Sequence, residues 1–162
     1  MKKISKNNKG YSLVEVIIVV SLIALFCSFV FIGFRVLNSR QVDECAKKIK
    51  VGLESNRTAT MGKFQSSVSF YVDSDGYLIL EESINGDVKT KRIGDENLTY
   101  KYKLDAAAWD DVPGSANKIT VSFNRNSGAV MTPVEVTDFL ISLGDNNITV
   151  HIDKVTGRVS VN

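Results

Sequence analysis

Lys9-Gly10-Tyr11-Ser12-Leu13-Val14-Glu15 stands immediately before VIIVVSLIALFCSFVFIGF, the apolar run from Val16 to Phe34. The run holds no charge, and only Ser21, Ser28 and Gly33 interrupt it. Its length suits a helix crossing a bilayer core, which takes about 20 apolar residues. Upstream lies the short leader MKKISKNNKG, and downstream come Arg35 and Arg40. The four lysines Lys2, Lys3, Lys6 and Lys9 hold the leader in the cytoplasm by the positive-inside bias, so the C-terminal bulk is expected outside.

Length and charge bound the rest. A chain of 162 residues is long enough for one domain with a real core and too short for two sizeable ones. The net charge of +2 owes its sign to the leader: without those four lysines, 16 basic residues face 18 acidic ones. Near-neutrality of this kind gives no general argument for nucleic acid or an anionic surface as partner. Cys27 lies inside the apolar run and Cys45 well beyond it. On one continuous helix they are too far apart to bridge, since a disulfide needs Cα atoms within about 7 Å. Both read as small apolar residues, with no redox or metal role.

Two ordinary readings of the N-terminus compete with a specialised one. A secretory signal peptide has a shorter apolar core and a small-x-small cleavage site, and neither feature fits here. A lipoprotein site at Cys27 fails because Phe26 stands where a small residue is needed. Hydropathy alone leaves an uncleaved signal anchor open.

The junction separates these readings. Gly10 followed by Tyr-Ser-Leu-Val-Glu over Tyr11 to Glu15 resembles the processing motif of the type IV prepilin family, in which a glycine precedes Phe-Thr-Leu-[Val/Ile]-Glu. The resemblance implies cleavage after Gly10 by a prepilin peptidase and N-methylation of the new terminus at Tyr11, where Phe is the commoner residue. It implies that Glu15, fifth in the mature chain, meets the Tyr11 amine of an adjacent subunit during assembly. The partners it implies are the peptidase, other pilin or pseudopilin subunits, an assembly platform protein and an assembly ATPase. The expected location is the bacterial cytoplasmic membrane, crossed once, and then a surface filament. Physical chemistry agrees that Glu15 is odd: an acidic group at a membrane-helix centre costs about 2.5–3.5 kcal/mol, and somewhat less near the interface. It wants a cation.

Beyond the apolar run, Val42, Cys45, Ala46, Ile49 and Leu53 recur at three- and four-residue spacing, while Arg40, Asp43, Glu44, Lys47, Lys48 and Lys50 lie elsewhere around the helix. With no proline before Pro113, one helix from Ser12 to Met61 would be about 75 Å long. Gly62 is the expected stop. The period then changes to two. Val68, Phe70 and Val72 alternate with polar neighbours up to a turn at Asp75-Gly76, and Leu78 and Leu80 begin a second strand. Asn85-Gly86 signals a hairpin into a strand over 88–93. Leu98, Tyr100, Tyr102 and Leu104 mark a half-buried strand, and 105–117 reads as a loop with one helical turn. Further strands are expected around Ile119 to Phe123, Thr137 to Leu143, Ile148 to Ile152 and Val159 to Val161.

The expected fold is therefore α+β: a leader over 1–10, a membrane or filament-core helix over 11–34, its amphipathic continuation over 35–61, and a β-rich head of antiparallel sheet over 62–162. The strand and glycine spacing of roughly the last 45 residues resembles GspH-type minor pseudopilins.

Enzyme motifs are missing from the sequence. It has no Walker A loop and no Gly-x-Ser-x-Gly elbow, and its single histidine, His151, rules out the usual triads and His-rich metal sites. His151 is expected on a wet strand face. Asp73-Ser74-Asp75-Gly76 has only part of a calcium loop and reads as a turn. Glu81 and Glu82 point to opposite strand faces, so they form no acid–base pair. No cofactor is implied. Lys89, Lys91, Arg92, Lys101 and Lys103 would gather into a basic patch if their strands paired. A DNA-binding competence pilin, or another membrane-anchored extracellular binding domain, is the rival this raises, against an ordinary wet sheet face.

Overall fold

The computed structural model describes residues 11–105, 107–131 and 136–162, with the side chains of 29–36 left out. The leader expected over 1–10, Gly10 included, lies outside the described residues. A single helix, α1, runs Leu13–Met61 and contributes to two compact units, one ending at Leu37 and the other spanning Asn38–Asn162. The fold is α+β with antiparallel sheets.

In the first unit α1 is apolar all round from Val16 to Ser28. Its side chains from Leu13 to Ser28 are exposed. The two hydroxyls in this stretch bond back onto the helix, Ser21 Oγ donating to the Ile17 carbonyl at 2.7 Å and Ser28 Oγ to the Ala24 carbonyl at 3.0 Å. Such back-bonding leaves a serine with no unmet demand in apolar surroundings.

The second unit carries the core. The five stripe residues expected from the sequence, Val42, Cys45, Ala46, Ile49 and Leu53, are all buried. They share one hydrophobic cluster with the inner faces of two five-stranded sheets. The first sheet has β1 (Ser66–Val72), β2 (Leu78–Ile84), β3 (Asp87–Arg92), β6 (Ile119–Phe123) and β7 (Val130–Met131) in the order β3-β2-β1-β6-β7. The second has β4 (Thr99–Leu104), β5 (Trp109–Asp111), β8 (Val136–Leu143), β9 (Asn146–Ile152) and β10 (Val159–Val161) in the order β10-β9-β8-β4-β5. Phe70 of β1 and Phe139 of β8 join the two inner faces, with ring centroids 4.8 Å apart. Burial pushes the Cys45 thiol up to about 12, against the opposing pull of Lys48, so this cysteine stays protonated and inert.

Two sequence expectations are refined. The helix does stop at Met61, but the residue in left-handed conformation is Lys63 (φ 72), not Gly62. Phe64 N–H reaches the Ala59 carbonyl and Lys63 N–H the Thr60 carbonyl, at 3.2 and 3.0 Å, which is the paired bonding of a Schellman end. The segment expected to be a loop over 105–117 does contain one turn of 3-10 helix, Ser115–Asn117, but also the short strand β5. Because β5 pairs with β4 through Lys101↔Asp111 and Lys103↔Trp109, the chain gains an extra edge strand there.

The turns after β6 and β9 are near copies of each other. ITVSFNRNSGAV from Ile119 and ITVHIDKVTGRV from Ile148 align with glycine in the same place. In each, an Asn or Asp side chain caps the loop: Asn124 Oδ1 accepts from the Asn126 and Ser127 amides, and Asp153 Oδ1 from the Thr156 amide and hydroxyl. Those bonds, the Thr156 amide foremost, hold the Asp153 carboxyl below its usual range. Gly128 and Gly157 both take positive φ, 70° and 63°, and the two turns meet there. Arg57 of α1 closes the junction, its Nε donating to the Thr156 carbonyl at 3.0 Å, while Val130 N–H reaches the Lys154 carbonyl at 3.0 Å. The helix is thus bonded to the turn of the second sheet, and the Val130–Lys154 backbone bond joins that turn to the first sheet.

Two expected outcomes follow from this packing. A Cβ at Gly157 would collide with the Gly128 carbonyl and strain the backbone, so Gly157→Ala should destabilise the head by more than about 2 kcal/mol in denaturant melts. Asn56 extends the buried stripe at 1% exposure, yet neither its amide nitrogen nor its amide oxygen has a partner among the described residues. Asn56→Leu should therefore stabilise the head by about 1 kcal/mol or more, read as a rise in thermal midpoint.

Candidate functional site

The junction residues sit at the start of α1. Tyr11 is 82% exposed, Ser12 precedes the helix, and the first intrahelical bond runs from Val16 N–H to the Ser12 carbonyl at 3.2 Å. That bond places Ser12 at the N-cap and Glu15 three positions on, within the first turn. Ser-x-x-Glu is the spacing of a capping box. Neither reciprocal side-chain bond is formed among the described residues, so the Glu15 carboxylate is not used up in capping. No described cation pairs with it. Leu13 and Val14 complete the motif, both exposed.

From Val16 onward the helix presents apolar side chains in every direction, about half of each exposed. A surface of this kind needs cover, from lipid or from other helices. No helix among the described residues is long and apolar enough to cross a membrane. The expected run continues to Phe34, and its side chains from 29 onward lie outside the described residues.

The five basic candidates do not gather, because their strands do not pair. Lys89, Lys91 and Arg92 lie on β3 at the edge of the first sheet, and Lys101 and Lys103 on β4 in the second. Even the β3 group is split. Lys89 and Lys91 stand opposite Glu82 and Leu80 on the helix-side face, whereas Arg92 is opposite Ile79 on the other. Arg92 lies 3.6 Å from the Tyr77 ring centroid and 3.9 Å from Asp73, and the nearby Glu96 carboxylate raises the Tyr77 phenol above its ordinary range. Lys101 is 3.8 Å from Asp111. Arg92 and Lys101 are held by carboxylates, and the five charges are divided between two sheets, which makes a poor phosphate track.

The remaining candidates resolve as turns and pairs. Asp73 Oδ1 accepts from the Asp75 and Tyr77 amides, and Gly76 takes φ 86, as a hairpin turn requires. Glu81 pairs with Lys118 while Glu82 faces Lys89, on opposite faces as expected. His151 was expected to be solvated. It is half-exposed and has a carboxylate neighbour, its Nδ1 lying 2.8 Å from Asp138 Oδ1. Sequence reasoning missed the repeated turn, whose signal was the recurrence of Ile-Thr-Val nine residues before a glycine.

Residues 5–31 match the family described as the prokaryotic N-terminal methylation motif. The chain carries a type IV prepilin-like N-terminus. The matched segment spans the junction and the exposed apolar half-helix, and proteins of this motif are structural subunits. No curated protein and no solved structure matches the chain significantly.

Proposed function

We propose that this chain is a minor pilin or pseudopilin subunit, cleaved after Gly10, methylated at Tyr11 and polymerised through α1 into a type IV pilus-like or type II secretion-like filament. The observation that carries the reading is the coincidence of three features within one short segment. These are the methylation-motif match, a helix exposed on all sides with no polar demand left in its serines, and Glu15 ionisable in the first turn with no described cation beside it. A subunit waiting in the cytoplasmic membrane, head outside, would satisfy the apolar surface with lipid. Assembly replaces lipid with neighbouring helices, and Glu15 finds the Tyr11 ammonium of the next subunit. The peptidase, a platform protein, an ATPase and other pilins are the partners this route needs. A GspH-type head is supported by the strand and glycine spacing of the last two hairpins.

The rival, a DNA-capturing pilin, loses its main support with the separation of β3 from β4. Filter binding by purified protein under salt titration should show no salt-sensitive affinity beyond a weak non-specific level.

Mass spectrometry of membrane-extracted protein should give a mature chain beginning at Tyr11, with the added mass of one methyl group. An intact Met1 or Lys2 terminus from peptidase-competent cells would sink the reading. Glu15→Ala and Glu15→Gln should each cut the yield of sheared filaments at least about tenfold, since both remove the charge. Because Gln keeps the capping-box spacing, normal assembly by Glu15→Gln alone would assign Glu15 to helix initiation instead.

A further inference from the structure

The turns of the head are sorted by charge between its two ends. β1 runs from Ser66 to Val72, and strand register places the other turns relative to it. At the Val72 end lie the segments 73–77, 94–97 and 144–145. A Cβ on Gly76 would stand 3.6 Å from the Glu96 Cα, and the pairing Thr99↔Ser142 brings the third segment beside the second. Together they hold Asp73, Asp75, Asp95, Glu96 and Asp145, with no basic residue. Arg92 answers Asp73 at 3.9 Å, whereas the other four acids have no ion-pair partner among the described residues. Asp75, Glu96 and Asp145 are exposed and Asp95 is half-buried. On the adjoining part of α1, Lys47 and Lys48 take up Asp43 and Glu44, which leaves Arg40.

At the Ser66 end the sign reverses. The end of α1 meets the two glycine turns over 124–129 and 153–158 there, Arg57 donating to the Thr156 carbonyl and Val130 N–H to the Lys154 carbonyl. Lys63, Arg125 and Arg158 are exposed on these three segments and have no ion-pair partner among the described residues. Lys154 takes up Asp105. Among the described residues the acids left at this end are Asp87, on the β2–β3 hairpin, and Asp153, whose carboxylate is bonded into its own turn through Thr156. Apolar side chains stand among the cations, with Met61, Phe64 and Val155 all exposed.

Gln41 and Asp95 line one cleft, and Met61 packs at Gly128, so α1 covers about 30 Å between the acidic turns and the basic ones. A Debye length is about 10 Å at 0.1 M salt, so within one head the two ends do not neutralise each other. Between heads they can. We propose that the basic end of one head docks against the acidic end of a second copy of this chain, bringing Lys63, Arg125 and Arg158 to Asp75, Glu96 and Asp145. This rests on the filament-subunit reading and deepens it by naming a contact between heads. Like ends repel, which disfavours a closed twofold pair through either end, whereas unlike ends attract. The favoured contact therefore joins different patches and repeats from subunit to subunit without closing, as a filament requires. Met61, Phe64 and Val155 add apolar area to an otherwise charged contact.

The test uses the full-length chain with Cys27→Ser, leaving only the buried Cys45, and adds Ser74→Cys at the acidic end together with Val155→Cys at the basic end. A short bismaleimide, applied to cell membranes and to detergent-extracted chain, should give a ladder of dimers, trimers and higher species on denaturing gels, absent from either single-cysteine chain. The set Lys63→Glu, Arg125→Glu and Arg158→Glu should weaken the ladder at least about fivefold, and so should the set Asp75→Lys, Glu96→Lys and Asp145→Lys. Both sets in one chain should restore it. Thermal melts check that each variant is folded. A product stopping at dimers, a ladder that survives either reversed set, no recovery when the sets are combined, or a crosslink only to a different membrane protein would overturn the second-copy contact. Because the ladder can be read on detergent-extracted chain without processing, the two readings fail separately. Filaments without a ladder would overturn this contact alone, and a ladder without filaments would overturn the filament reading alone.

Discussion

The head depends on the burial of one stripe of α1. Val42, Cys45, Ala46, Ile49 and Leu53 each lose essentially all contact with solvent, and the inner faces of both sheets are organised around them. At roughly 1.5–3 kcal/mol for each large aliphatic side chain buried, this stripe is a large favourable contribution to a head whose net stability is expected to be small. From Val16 to Ser28 the same helix is apolar on every side, and its side chains there are exposed. One continuous element therefore carries two different patterns, and the change between them falls where the chain divides into two units.

Much of this was legible in the sequence, because periodicity reports burial directly. The three- and four-residue spacing from Val42 to Leu53 named the buried face without error, and the alternation Val68-Phe70-Val72 named the inner face of β1. Asn85-Gly86 gave the hairpin between β2 and β3, with both residues at positive φ as a two-residue turn of this type demands. Where the spacing was short or the pattern weak, the reading faltered. Trp109-Asp110-Asp111 has no apolar alternation, and only its pairing with β4 makes it a strand. Lys63 was passed over because the helix end is set by the bonds of Phe64 and Lys63 to the last turn, which outweigh the local preference for glycine.

The candidate site divides in the same way. Gly10 to Glu15 was readable because a short motif carries its chemistry in consecutive residues, and the family match falls on that segment. Which strands neighbour one another is a non-local property, so the basic set could be named residue by residue without knowing that β3 and β4 belong to different sheets. Asn56 shows the opposite limit. It keeps the stripe's spacing, yet its polarity gave no hint that the side chain would be enclosed with its amide unpartnered.

Arg57 has a mechanical consequence. Its bond to the Thr156 carbonyl, beside the junction of the two glycine turns, fastens the far end of α1 to the last turn of the second sheet, while the buried stripe fastens the helix along its length. A tug applied to the exposed end of α1 is then resisted by many side-chain contacts sharing the load in parallel, not by contacts giving way one after another. A head anchored in this manner can be towed by its own helix and still keep its shape.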